Sequence, residues 1–518
     1  MLISVNIRPA ASTRSVHVEL TISAPRLGPK PEISACPALV REARYLCHSL
    51  QMREVKLLFS DLPDEAPVVT VKSGSLRGEY ARVKGTENVV ERFLGVPFAR
   101  PPVGPLRFAR PQPPLPWEGV RNATREPNMC LQNSDAVVPT AKLLAINHTI
   151  PPMSEDCLYL NVYAPSNITT GEKAPVMMWI HGGGLVMGFA AQYDASPLAA
   201  YQGVVVVIIQ YRLGILGFLS TGDEHAPGNW GFFDQLAALQ WIQDNIESFG
   251  GDPKSVTIFG ESAGGVSVSI LMLSPLSTGL FHKAIPQSGV ATMSMFSNSD
   301  PLSQAKVVAN LTGCSHDVTE QLVQCLKLRT EDEIVNVAKK AKGANDLIAQ
   351  EYLREAQTPE AIRDGFTEMI GDLFIVLPVI KAARYHRDAG VPVYLYEFRH
   401  RPEAHKSRPS FVKADHASEL GFVFGACFWE GPITVTGSIT TEEDELCRTM
   451  MAYWANFART GSPNGADLVQ WPVYGETEEY LKLGLEQLVG QKLKQNRVHF
   501  MNATLPELLA MPTRTTKL

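Results

Sequence analysis

The stretch Ser255, Val256, Thr257, Ile258, Phe259, Gly260, Glu261, Ser262, Ala263, Gly264 and Gly265 decides how this chain is read. Its first five residues are a β-branched run of the length of a buried strand, and the small residues from Gly264 onward through Leu273 suit a helix packed close to a sheet. Ser262 then falls on a strand-to-helix turn. That is the setting of a Gly-x-Ser-x-Gly nucleophile elbow, in which flanking glycines permit a strained turn that lifts Oγ beside a helix N-terminus. The pentapeptide alone fits an ordinary turn as well; the strand before it and the helix after it favour the elbow.

A second stretch supplies what the first lacks. Val176, Met177, Met178, Trp179 and Ile180 form another strand-like run, ending at His181, Gly182, Gly183 and Gly184. Acyl transfer needs backbone N–H groups aimed at the developing oxyanion, and glycine lets a chain approach a substrate closely. Gly183 and Gly184, with the N–H of Ala263, are the candidate oxyanion donors.

Phe249, Gly250, Gly251, Asp252 and Pro253 up to Gly264, together with Ser154, Glu155, Asp156, Cys157, Leu158, Tyr159, Leu160 and Asn161, resemble the type-B carboxylesterase and cholinesterase family. The finer similarity is to vertebrate carboxylesterases, and from Glu397 to His416 to their 5A branch. It covers the chain from about Pro67 to about Leu505, with one gap. The resemblance implies an α/β-hydrolase fold, a serine acyl-enzyme mechanism on small-molecule esters, and no metal or organic cofactor.

The body of the chain agrees. At 518 residues with 45% hydrophobic content it can bury a large core, as one α/β domain with excursions or as several domains. A net charge of −6 favours neither nucleic acid nor an anionic membrane as partner, and no run of about 18 apolar residues suggests a span. Short strands are expected at Val68 to Val71, Leu76 to Tyr80 and Arg92 to Pro97, as an antiparallel ribbon on the main sheet, before a proline-rich loop from Pro101 to Pro116. From about Val176 to Gly289 strand and helix signals alternate: Val204 to Tyr211, a helix from about Phe233 to Phe249, then Lys283 to Gly289. This implies a largely parallel sheet with helices on both faces. Ser288, at the end of that last strand, reads as a structural hydrogen-bonding residue or, by the resemblance, a neighbour of the site.

Cys130 with Cys157 and Cys314 with Cys325 have spacings that suit disulfides or reduced buried thiols, and the resemblance implies the bridges. Cys36, Cys47, Cys427 and Cys447 show no obvious partner. Glycosylation sequons at Asn122, Asn147, Asn167, Asn310 and Asn502 join the cysteines in pointing to a secreted protein or one of the endoplasmic reticulum lumen. Against this, Met1 to Pro25 has no continuous apolar core, being broken by Arg8, Arg14 and His17, and the chain ends Thr515, Thr516, Lys517, Leu518 rather than in the family's retrieval tetrapeptide. Between Cys130 and Cys157 there is no tryptophan of the kind cholinesterases use to hold a quaternary ammonium, so apolar acyl and alcohol groups are the better substrate expectation.

A serine nucleophile needs a base, and the base an orienting acid, in the chain order serine, acid, histidine. His416, in the loop Lys413 to Glu419 beyond a strand at Val391 to Phe398, matches the family's base. The acid is missing from the pattern. The family carries a glutamate on a loop after a strand, and no such motif lies between Ser262 and His416; the resemblance breaks near Lys342 and resumes near Asp346. Glu351, Glu355, Glu360, Asp364, Glu368 and Asp372 fall on helical patterns whose buried face is marked by Ile362, Phe366, Met369, Ile370 and Phe374, which places most of them on a wet side. Loss of this segment also removes a strand, so the sheet must close a gap or expose an edge.

The remainder follows the pattern: a helix from Glu442 to Arg459 with Met450, Met451, Trp454, Phe457 and Ala458 inward, then a loop and an edge strand from Asp467 to Leu483. The expected organisation is a loosely attached extension at 1–64, an α/β-hydrolase domain at 65–508 with a helical lid region at about 300–385, and a tail at 509–518. Two functions compete: a serine carboxylic-ester hydrolase, impaired by the absent acid, and a catalytically inactive isoform of the same fold that binds or is a truncated product.

Overall fold

The structure is a computed structural model that describes residues 2–6, 63, 65–168, 171–315, 317–338 and 358–504. All of them but residues 63 and 65 belong to one compact unit, Met1–Arg8 with Ala66–Leu518, distinct from a second unit at Pro9–Glu65. Sixteen strands run in chain order among the described residues: β1 Leu2–Asn6, β2 Val68–Val71, β3 Gly74–Arg77, β4 Glu79–Ala81, β5 Val90–Pro97, β6 Val120–Asn122, β7 Ile146–Asn147, β8 Tyr159–Pro165, β9 Ala174–Ile180, β10 Val205–Ile209, β11 Gly251–Glu261, β12 Lys283–Gln287, β13 Tyr394–Phe398, β14 Thr434–Val435, β15 Glu479–Leu483 and β16 Leu488–Gln491.

Seven of them form the main sheet in the order β12-β11-β9-β10-β8-β5-β4, with the centre β12, β11, β9 and β10 parallel and the β8, β5 and β4 side antiparallel. Parallel strands must be covered on both faces, which is why β9 and β10 read as unbroken apolar runs. Met177 and Trp179 point into a core shared with Met450, Met451, Trp454 and Phe457 of the helix α5 (Thr441–Thr460, after α1 to α4 below). Val176, Met178 and Ile180 point the other way, onto Leu239 and Ile242 of α1 (Trp230–Asn245). The inward set foreseen for the C-terminal helix is buried throughout.

A four-stranded sheet, β1-β13-β15-β16, continues beyond β12. Here the structure departs from the sequence reading. Leu2–Asn6, within the extension expected to be loosely attached, is a strand parallel to β13 in the register Leu2 with Tyr394 through Asn6 with Phe398. It also runs beside β12. The N-terminal strand therefore occupies the gap that the shortened chain was expected to leave, because β13, buried at every residue, needs a partner for its backbone groups. The β15 strand is not an edge; β16 pairs with it antiparallel and takes that place. The expected N-terminal ribbon is divided: β4 and β5 join the main sheet, while β2, β3 and β6 form a small sheet of their own.

Two further expectations are corrected. On α3 (Pro359–Gly371) Met369 is buried, but Ile362, Phe366 and Ile370, with Phe374 beyond, remain 40–51% exposed. A π turn at Asp372–Val376, leading into α4 (Leu377–Asp388), slips the 3.6-residue period and turns Asp372 inward in place of Phe374. Asp372 is accommodated there by Lys494, 3.3 Å away, which also pairs with Glu368. Glu360 and Asp364 are exposed, whereas Glu351 and Glu355 lie outside the described residues. Cys427 and Cys447, read as unpartnered, form a third disulfide beside Cys130–Cys157 and Cys314–Cys325. It ties the segment after the His416 loop to α5. Cys36 and Cys47 lie outside the described residues.

Candidate active site

The elbow forms because β11 ends against two neighbours that leave no room for side chains. A Cβ added at Gly264 would lie 2.0 Å from the Ile180 carbonyl oxygen, and one at Gly265 2.5 Å from that of Gln287. Only glycine lets α2 (Ala263–Leu273) start so close to β9 and β12. Ser262, the residue before α2, is held at φ +57° and ψ −123°, a strained conformation for a residue with a side chain. Its N–H donates to the Gln287 carbonyl (2.8 Å) and its carbonyl accepts from Val266 N–H (2.9 Å), so both backbone groups are fixed while the side chain stays partly open. Ala263 is the first helical residue, and its N–H has no intrahelical acceptor.

The glycine loop lies against this turn. A Cβ on Gly182 would meet the Ser262 Cβ at 3.1 Å and the Glu261 carbonyl oxygen at 2.6 Å. Gly183 and Gly184 adopt φ of +100° and +65°, and the Gly183 carbonyl accepts from the N–H groups of Val186 and Met187, turning the loop back. Gly184 is exposed and Gly183 half-buried, so the loop faces the cleft. Beneath it His181 is buried, stacked on Tyr211 at 4.5 Å; burial pushes its imidazole pKa down to about 4. It braces the loop through Nδ1, 2.9 Å from the Gly182 oxygen.

His416 arrives from the far end of the chain. Its Nε2 lies 3.0 Å from Oε1 of Glu261, the residue before Ser262. Protein crowds the ring and pushes its pKa down to about 4, while the 43% of its side chain open to the cleft lets water oppose that push. The imidazole is therefore neutral near neutral pH. Glu261 is buried, and burial first, then the nearby Glu419, raises its pKa well above the ordinary carboxyl value. Although close, the atoms are not aligned, and Glu261 Oε1 accepts no hydrogen bond. Behind them Gln287 Nε2 donates to Glu419 (3.3 Å) and Trp454 Nε1 donates to Gln287 (3.1 Å). Ser288 is fully buried at φ +50°. Glu261 and Glu419 were not singled out in the sequence, since a glutamate inside an elbow motif and one three residues past the base give no local sign that they meet.

An apolar cavity of about 70 Å³ lies behind the His416 loop, lined among others by Tyr193, Ala417, Leu420, Phe424 and Trp429, and not over Ser262. Among the described residues no cluster of three or more His, Cys, Asp or Glu fits a metal ion, and no helix is long and apolar enough to cross a membrane.

The model of the carboxylesterase family matches residues 65–349 and 338–501. The chain belongs to the carboxylesterase family. Among its relatives, carboxylesterase 5A of Canis lupus familiaris is 45% identical over 87% of this chain and 91% of that protein. Carboxylesterase 5A of Homo sapiens is 43% identical over 86% and 90%. The fatty acyl-CoA hydrolase precursor, medium chain, of Anas platyrhynchos is 44% identical over 84% and 92%. The carboxylesterase fold is the α/β-hydrolase fold, and the chain is a carboxylesterase-type serine hydrolase whose substrates are small-molecule esters.

Proposed function

We propose that this carboxylesterase cleaves esters with apolar acyl and alcohol groups through an acyl-enzyme on Ser262, at a rate lowered by the loss of the family's orienting glutamate. Ser262 Oγ attacks the carbonyl carbon while His416 takes its proton; Gly183, Gly184 and Ala263 N–H groups receive the oxyanion; His416 then returns the proton to the leaving alkoxide, and water releases the acid. The observation that supports this reading is a left-handed Ser262 against the glycine loop, with the His416 imidazole 3.0 Å from Glu261, the residue before it.

The loss of the acid segment is supported by the comparisons. The family match restarts near residue 338, and 523 matched positions in the dog relative against 87% of a 518-residue chain leave about 70 positions without a counterpart. The three disulfides, with sequons at exposed Asn122, Asn147, Asn167 and Asn310, favour a secretory or lumenal location. The lost acid also favours a second reading, an inactive binding isoform. A fluorophosphonate probe separates the two: we expect one adduct, on Ser262 and absent in Ser262→Ala, with slow turnover of p-nitrophenyl esters. Folded protein without an adduct would overturn the enzyme reading.

A further inference from the structure

We infer that Asp415 is a positioning residue for the base: it clasps the His416–Ala417 turn between Ser418 and Arg408 and sets a negative charge near the ring. This rests on the proposed hydrolase reading of the same site. His416 and Ala417 are the central residues of a turn closed by Ser418 N–H, which donates to the Asp415 carbonyl (3.1 Å). Ala417 is held at φ +68°, a left-handed conformation that suits glycine or asparagine in such a turn and is unfavourable for a residue with a Cβ. Strain of this kind persists where the surroundings over-determine it. Here the Asp415 side chain does so. Asp415 N–H donates to Ser418 Oγ (3.1 Å), and that hydroxyl donates back to Asp415 Oδ1 (2.6 Å), which closes a ring around the turn. Ser418 is buried, so little water competes for these bonds. The other carboxylate oxygen accepts from Arg408 Nη1 (2.8 Å). Arg408 lies in a second turn, where its own N–H donates to the His405 carbonyl (3.0 Å) and Arg401 Nη2 donates to the carbonyls of His405 (3.1 Å) and Arg408 (2.9 Å). The base is thus aimed through its backbone.

The charge matters for the proton. When Nε2 takes the Ser262 proton as the Oγ–carbon bond forms, the ring becomes a cation; it is neutral again once that proton passes to the alkoxide as the ester's carbon–oxygen bond breaks. Burial pushes the ring toward its neutral form, and the Asp415 charge opposes that push. The other titratable groups facing the turn are Glu261 at the end of β11, Glu419 one residue past Ser418, and His405 and Arg408 on the adjoining turn. Glu261 is buried, and burial raises its pKa well above the ordinary carboxyl value. Glu419 accepts from Gln287 Nε2 (3.3 Å). Burial, then Arg408, pushes the His405 pKa down to about 4, so that ring is neutral, and Arg408 is paired with Asp415 itself. Tyr193, which shares the cavity behind the loop, is kept neutral by burial.

Two variants separate the ring from the charge. Asp415→Asn keeps an acceptor for Ser418 and removes the charge, whereas Ser418→Ala opens the ring and keeps the charge. The His416 titration is followed by histidine-labelled NMR, its signal assigned by its loss in His416→Gln. It should move down by about one pH unit in Asp415→Asn, hold in Ser418→Ala, and not fall in Arg408→Gln, which strips the carboxylate of its counter-charge. In ester hydrolysis kcat should drop about tenfold in Ser418→Ala with KM little changed, and Asp415→Glu should keep the wild-type titration. A purely structural role predicts rates that fall in step with stability and a titration that stays put. An Asp415→Asn ring that titrates as in wild type, or Ser418→Ala with undiminished kcat, overturns the inference; if Asp415→Asn does not fold, a ring titration that falls in Arg408→Gln does the same. Wild-type protein that takes no fluorophosphonate while the titrations move as stated would sink the hydrolase reading and leave the clasp standing. Labelled protein with an unmoved titration would sink the clasp alone.

Discussion

Removing Leu2–Asn6 is the sharpest test of how this fold is completed. The strand contributes five register pairs to β13, from Leu2 with Tyr394 to Asn6 with Phe398, and β13 is buried along its whole length. A parallel ladder of that length holds about four or five backbone hydrogen bonds, each worth about 0.5–1.5 kcal/mol net, and buried groups left without partners cost about 1–3 kcal/mol each. Deleting residues 1–8 should therefore destabilise the protein by about 3–6 kcal/mol, a large part of the roughly 5–15 kcal/mol that holds a domain together. The assay is urea unfolding followed by tryptophan fluorescence, since Trp454 and Trp471 pack edge-to-face against Tyr396 of β13. Hydrogen exchange should show the amides of β13 losing protection first. A truncated protein with an unchanged midpoint and protected β13 amides would refute the strand's place in the sheet.

Other expectations are smaller. Gly264→Ala places a Cβ 2.0 Å from the Ile180 carbonyl oxygen, which must move; at or beyond about 1–3 kcal/mol of overpacking, it should lower stability and, by tilting α2 away from the oxyanion, reduce fluorophosphonate labelling more than thermal denaturation alone predicts. Asp234→Asn leaves Arg212 unpaired where it now makes two side-chain hydrogen bonds of 2.8 and 2.7 Å, and should cost about 3–5 kcal/mol in denaturant titration. The His181 pKa of about 4 lies below its unfolded value of 6.5, so its stabilising contribution is full above pH 6.5 and is lost as pH falls toward 4. The loss reaches about 3 kcal/mol, and His181→Asn should flatten the difference in stability between pH 7.5 and pH 5. Burial of Glu126, whose pKa is raised to about 7, acts with the opposite sign over pH 7 to 4.5 and should persist in that variant.

Much of the architecture was legible because it is written in local pattern. β9 and β10 are uninterrupted apolar runs and β11 carries a buried one at Val256–Phe259, as central parallel strands must, and the glycines of the elbow and of the loop at Gly183 mark places where backbone meets backbone. What could not be read depends on distance along the chain. Nothing in Leu2 to Asn6 says that it pairs with residues almost four hundred positions away, and register between remote strands has no local signature. The apolar stripe on α3 failed for a different reason: a π turn breaks the period on which such a reading depends, and Lys494, remote in sequence, makes room for Asp372 inside. Cys427 and Cys447 were opaque because a spacing gives no side-chain direction.

The N-terminal strand completes the sheet without bringing a carboxylate to the site. In a doubly wound sheet the chemistry sits at the carboxyl ends of the parallel strands, and β1, being parallel to β13, ends at Asn6 on that side. It completes the ladder, but from Ile7 to Val18 the sequence contains neither aspartate nor glutamate, so a strand is supplied without the acid that would follow it. Folding and turnover then answer to different residues. Truncating the strand should lower the stability of the sheet whatever the state of the site, whereas Ser262→Ala should abolish acyl transfer in a sheet that stays whole. Equal loss of stability in both variants would mean that the turn at Ser262 and the N-terminal strand are not separate tasks in this fold.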